Sequence, residues 1–143
     1  MSVSVSQLRS SIAFNISALT GFREVRMLPD YFGRAHNTLA HLGFSVDVNA
    51  TNGANERQRT TVGAYVETLV RVRFAYRLRP HDIILDYGNA LDKEQEVISA
   101  ICARNFNRAI EIRLVRASRR TPDSQEYLIS EIEFSALHTI TLS

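Results

Sequence analysis

A single cysteine, Cys102, in a chain of 143 residues excludes an internal disulfide. It sits inside an apolar helical pattern, which reads as a buried and inert thiol. Long apolar runs are missing too. The longest are a few residues, far short of the roughly 20 that carry a helix across a bilayer, so no membrane span is expected. The opening Met1-Ser2-Val3-Ser4-Val5-Ser6 has neither the basic nor the apolar region of a secretory signal. The protein is therefore expected to stay in the compartment where it is made, and the sequons Asn15-Ile16-Ser17 and Asn49-Ala50-Thr51 read as chance. Lysine is scarce: Lys93 stands alone against sixteen arginines. Arginine's planar fork pairs bidentately with carboxylates at lower hydration cost than an ammonium, which suits interfaces, although genomic base composition explains the same bias equally well.

What is present is the composition of an ordinary globular domain, 45% hydrophobic and 22% charged with a formal net charge of +2. One domain spanning residues 1–143 with one core is the expectation at this length. From Ser6 to Thr20, Leu8, Ile12, Ile16 and Leu19 recur at helical spacing, with Ser4 or Ser6 to cap the first turn and Gly21 to end the helix. Residues 21–42 follow no clean period and read as a loop with a short helix near Arg34 to His41. From Gly43 the pattern alternates, Phe44, Val46 and Val48 against Ser45, Asp47 and Asn49, which predicts a short strand. Ala50 to Thr61 has no apolar residue larger than alanine and contains the turn dipeptide Asn52-Gly53, so a solvated, mobile loop is expected there.

The clearest strand follows. Val66, Val70, Val72, Phe74, Tyr76 and Leu78 share one face with Thr68, and Tyr65, Glu67, Leu69, Arg71, Arg73, Ala75 and Arg77 share the other. Arg79-Pro80 closes it. A second helix is expected from a cap at Asp86 or Asn89, in which Leu91, Glu94 or Gln95, Ile98, Ile101 and Cys102 recur at three and four residues. Two strands end the chain: Ile110, Ile112 and Leu114 in one, Ile132, Phe134 and Ala136 in the other, joined by a polar tip over Ser118 to Ser124. This order predicts an α+β fold, an antiparallel sheet of about four strands with two main helices packed on one face.

Reactive constellations are hard to find. Of the four histidines, His36, His41, His81 and His138, the first two lie about 140° apart around a helix and would not share a metal; no cysteine accompanies them, and no set of three converging ligands is laid out in the sequence. The acidic residues Asp82, Asp86, Asp92, Glu94 and Glu96 surround a helix start, where the macrodipole stabilises negative charge. No phosphate loop or nucleophile elbow occurs. The sharpest feature is the arginine face of Arg71, Arg73 and Arg77, with Arg79 beyond. Three readings stay open: cross-strand pairing with carboxylates such as Glu131 and Glu133, contact with acidic residues of another subunit, or phosphate binding as in a small nucleic-acid-binding or regulatory domain.

Several segments together carry a resemblance. Ser6-Gln7-Leu8-Arg9 opens the first helix, and Arg57-Gln58-Arg59-Thr60-Thr61 ends the polar loop. Tyr65-Val66-Glu67-Thr68-Leu69-Val70 leads into the arginine-bearing strand, Asp86-Tyr87-Gly88-Asn89-Ala90-Leu91-Asp92 opens the second helix, and Glu131-Ile132-Glu133-Phe134 lies in the last strand. In this order of pieces the chain resembles the tail terminator (tail completion) proteins of long-tailed bacteriophages. The resemblance implies a structural protein of the virion tail and neck, made in the host cytoplasm, that needs no cofactor and catalyses nothing. It implies a ring, a homohexamer, that ends tube polymerisation and joins tail to head. Its partners would be other copies of the chain, the tail tube protein and a head-tail connector or neck protein, with DNA passing through the ring without sequence-specific binding. Arg57, Arg59, Arg71, Arg73, Arg77 and Arg79 are the expected assembly interface.

Overall fold

A computed structural model describes residues 2–25, 40–53, 63–102, 110–121 and 126–141. The elements run α1 (Val5–Ser17), β1 (Arg23–Glu24), β2 (Gly43–Gly53), β3 (Gly63–Arg77), α2 (Ile83–Cys102), β4 (Glu111–Arg120) and β5 (Tyr127–Thr141). The fold is α+β, as the alternation of periods predicts. The sheet differs in detail from the expected four antiparallel strands: it has five, in the order β1-β2-β3-β5-β4, and the added β1 runs parallel to β2. Two residues without an alternating pattern leave no signal in the sequence.

The start of α1 is set by a capping box. Ser4 Oγ accepts from the Gln7 amide at 3.1 Å while Gln7 Oε1 accepts from the Ser4 amide at 2.9 Å, so two otherwise unpaired donors are satisfied reciprocally. Leu8, Ile12 and Ile16 are buried as their spacing predicts. Leu19 packs on the core from beyond the helix end, and Gly21 adopts the left-handed φ of +88° that turns the chain back. The predicted short helix near Arg34 to His41 lies mostly outside the described residues.

Both helices pack on the same side of the sheet. Leu8, Ile12 and Ile16 of α1 and Val97 and Ile101 of α2 share one core with Phe44 and Val46, Val70, Val72 and Phe74, and Ile132 and Phe134. Phe22 meets Phe44 and Phe74 edge to face, with centroids 6.2 and 5.3 Å away, a geometry favoured by the ring quadrupoles. The helix α2 begins at Ile83, earlier than the expected cap at Asp86 or Asn89. Its buried stripe is Asp86, Ala90, Glu94, Val97 and Ile101, and Ile98 and Cys102 lie at the margin of the core.

Two further expectations are corrected. Ala50 to Gly53 is strand and not loop, because a bulge at Asn49 lets β2 continue and pair Ala50 with Leu69 through Gly53 with Val66. Backbone pairing with β3 holds this stretch where side-chain burial does not; residues 54–61 of the expected loop lie outside the described residues. Similarly β4 reaches Arg120, pairing it with Ile129, so the hairpin tip is shorter than Ser118 to Ser124. A second bulge at Val115 shifts the register of β4, which brings Arg116 opposite Glu133.

Candidate assembly surface

The arginines of β3 stand on the sheet face away from the helices, as alternation requires. Register then decides their partners. Asp47 lies opposite Arg71 across β2 and β3, and Glu133 and Glu131 lie opposite Arg71 and Arg73 across β3 and β5. Asp47 Oδ2 accepts from Arg73 Nη2 at 2.8 Å and lies 3.5 Å from Arg71 Nη2, while Arg71 Nη1 reaches Glu131 Oε1 at 3.4 Å. Farther along, Arg116 lies 3.6 Å from Glu133 and Arg113 lies 3.8 Å from Glu67, and Ser135 Oγ donates to Glu67 at 2.7 Å. Four guanidinium groups thus meet four carboxylates, and the face is close to neutral within the subunit. The side chains of Arg73 and Asp47 are only 11% and 13% exposed, so this pair is committed to the fold.

The other expected interface residues separate from these. Arg77 is exposed at the end of β3, where its amide donates to His41 Nδ1 at 3.1 Å. Arg79 lies past the strand and clasps Asp86: its amide and Nε donate to Oδ2 at 2.8 and 3.1 Å, and Nη2 donates to Oδ1 at 3.0 Å. These bonds hold the Asp86 carboxyl below the ordinary carboxylate range and raise the Arg79 guanidinium. Asp86 therefore ties the strand end to the helix and does not cap it. Arg57 and Arg59 lie outside the described residues.

Sequence reasoning missed two buried polar groups. Glu94 faces the sheet, where Arg119 binds it through two nitrogens, one of them Nε at 2.9 Å, and Ser130 Oγ donates to it at 2.5 Å. Its place on the Ala90, Val97 and Ile101 stripe was the available signal. His138 is buried on β5. Its Nδ1 lies 2.8 Å from the Val3 carbonyl, which can only accept, so this nitrogen carries the proton; Nε2 meets Thr68 Oγ1 at 2.7 Å. Val3 also donates its amide to the Thr139 carbonyl at 2.8 Å, so the chain start is pinned to the last strand. Burial pushes the half-buried Cys102 thiol up from its ordinary value, as expected for an unreactive sulfur.

Among the described residues no three His, Cys, Asp or Glu side chains converge as a metal site, and no helix is long and apolar enough to cross a membrane. What the surface does offer is apolar area in separate places. Ile83, Ile84, Leu85 and Tyr87 at the start of α2, Leu114 and Val115 on the edge strand β4, and Phe14 on α1 are all exposed, Ile84 at 89%. No protein-family model matches this chain, and no curated protein matches it.

Proposed function

We propose that this chain is a structural assembly protein that caps the head-proximal end of a phage tail tube as a homo-oligomeric ring, ends tube polymerisation and joins the tail to the neck of the head. The identity of the assembly comes from the sequence resemblance. The observation that supports an assembling protein is the distribution of surface chemistry: charge on the outer sheet face is consumed by ion pairs within the subunit, whereas large apolar side chains are left exposed at the start of α2 and on β4. A phosphate-binding face needs uncompensated cations, and carboxylates stand between the arginines of this one.

Negative-stain imaging and light scattering of the purified protein, alone and with growing tail tubes, test the reading. Rings at tube ends and arrested elongation are the expected result. Tubes that elongate normally in its presence, with the protein monomeric throughout, overturn it. Tight duplex binding that falls steeply with salt would favour the regulatory-domain reading instead.

A further inference from the structure

Each side of the sheet ends in an irregular strand. Among the described residues β4 is last on one side, so along it every second backbone amide and carbonyl faces away from β5. An open row of this kind is a template for a strand from another chain. An incoming strand can use it only where the outward groups keep their two-residue spacing. In β4 that spacing is broken. Leu114 pairs with Phe134 and Arg116 with Glu133, so Val115 is an extra residue without a partner in the ladder, and the outward groups change phase there. A straight strand can follow residues 111–114 or residues 116–120 but not both.

The other side is closed in two ways. β1 covers β2 only at Gly43 and Phe44. On that edge the carbonyls of Leu42 and Phe44 accept from the amides of Arg23 and Val25 at 3.1 and 2.8 Å. The next carbonyl facing the same way belongs to Val46. It accepts from Arg9 Nε of α1 at 3.0 Å, and Glu24 of β1 holds the same guanidinium in an ion pair. A helix side chain thus occupies the acceptor that a strand continuing past β1 would need. Farther on, Val48 pairs with Val70 and Ala50 with Leu69, which leaves Asn49 as a second extra residue and shifts the phase again.

We propose that these three features are guards that keep a second copy of this chain from adding to the sheet at either edge, so that copies meet through side chains and not through a continuous sheet. Both sides need guarding. A free β4 edge could pair with the β4 of another copy, and a free β2 edge with the β4 of the next molecule. The latter contact runs head to tail with no intrinsic stop and gives open fibres. The guards act on a monomer and on a ring alike, so they stand apart from the ring reading above.

Deleting Val115 tests the β4 guard, because it makes Leu114 and Arg116 neighbours opposite the neighbours Phe134 and Glu133 and leaves every other pair in place. The edge becomes straight. Each further backbone bond between chains strengthens association by a factor of several, so sedimentation velocity should show self-association at a concentration roughly tenfold or more below that of the wild type. Hydrogen exchange at the outward amides of β4 should slow with it. In the wild type those amides should exchange equally fast in dilute and in concentrated or assembled samples. For the other side, Arg9→Met combined with deletion of Asn49 frees the Val46 carbonyl and straightens β2, and should self-associate with slowed exchange along β2. A deletion variant that keeps the wild-type circular dichroism and sediments as the wild type does overturns the guard on its side. Wild-type assembly that slows exchange at the outward amides of β4 or β2 overturns it whether or not the variants fold.

Discussion

Arg119→Met isolates what the buried carboxylate of Glu94 requires. In the wild type that carboxylate receives two hydrogen bonds from Arg119 and one from Ser130. The substitution removes the cation and leaves a negative charge under α2 with a single hydroxyl. Breaking a fully buried pair in this way costs about 3–5 kcal/mol, whereas exposed pairs are worth up to about 1 kcal/mol. Arg119 is 37% exposed and Glu94 5%, which places the loss between these limits, at about 2 kcal/mol. Urea unfolding measures it as a lower midpoint at constant slope. Adding Glu94→Gln in the Arg119→Met background removes the stranded charge while keeping an acceptor for Ser130, and should return about 1 kcal/mol. A loss below about 0.5 kcal/mol for Arg119→Met, the range of surface substitutions, would refute the reasoning, as would a second substitution that deepens the loss.

Three further outcomes are expected. Ile101 is fully buried and Ile98 is at the core margin, so Ile101→Ala should cost about 2–5 kcal/mol and Ile98→Ala clearly less; the reverse order in urea midpoints would mean that α2 is rotated. Arg73→Glu places a second carboxylate beside Asp47 in a nearly buried position; a marked fall in monomer melting temperature is expected, and unchanged melting would contradict the ion-pair ladder. Asp86 has its folded pKa lowered by Arg79, so its contribution to stability is present above the unfolded value of about 3.8 and is lost as pH falls through the folded value. Asp86→Asn should therefore be less stable than the wild type near neutrality, with the difference shrinking in acid. A constant difference in unfolding midpoints down to about pH 2 would remove the assigned role of the Arg79 clasp.

The candidate site was legible only in part. The arginine face follows from alternation alone, because a strand that buries Val70, Val72 and Phe74 must send Arg71 and Arg73 the other way. Among its open readings, cross-strand pairing is what the register provides, and register depends on contacts between residues far apart in the chain: Arg71 meets Glu131 sixty residues away. The exposed apolar groups were harder to see. Ile83, Ile84 and Leu85 form an apolar run that local patterning does not mark as exposed; they become surface only when Asp86, Ala90, Glu94, Val97 and Ile101 take the side against the sheet.

Periodicity by itself determined that the chain is α+β, that α1 buries Leu8, Ile12 and Ile16, and that β3 is a two-faced strand, because helical and strand spacings select which side chains can share a face. It also determined the hairpin of β4 and β5, whose partners are adjacent in sequence. Tertiary structure alone decided the rest. The parallel β1 owes its existence to backbone bonds with β2, and the polar end of β2 is strand because β3 supplies its partners. The burial of Glu94 and His138 depends on Arg119, Ser130, Thr68 and Val3 arriving from elsewhere in the chain. A polar group can be buried only where its hydrogen-bond partners converge, and that convergence is a property of the folded chain that no local pattern encodes.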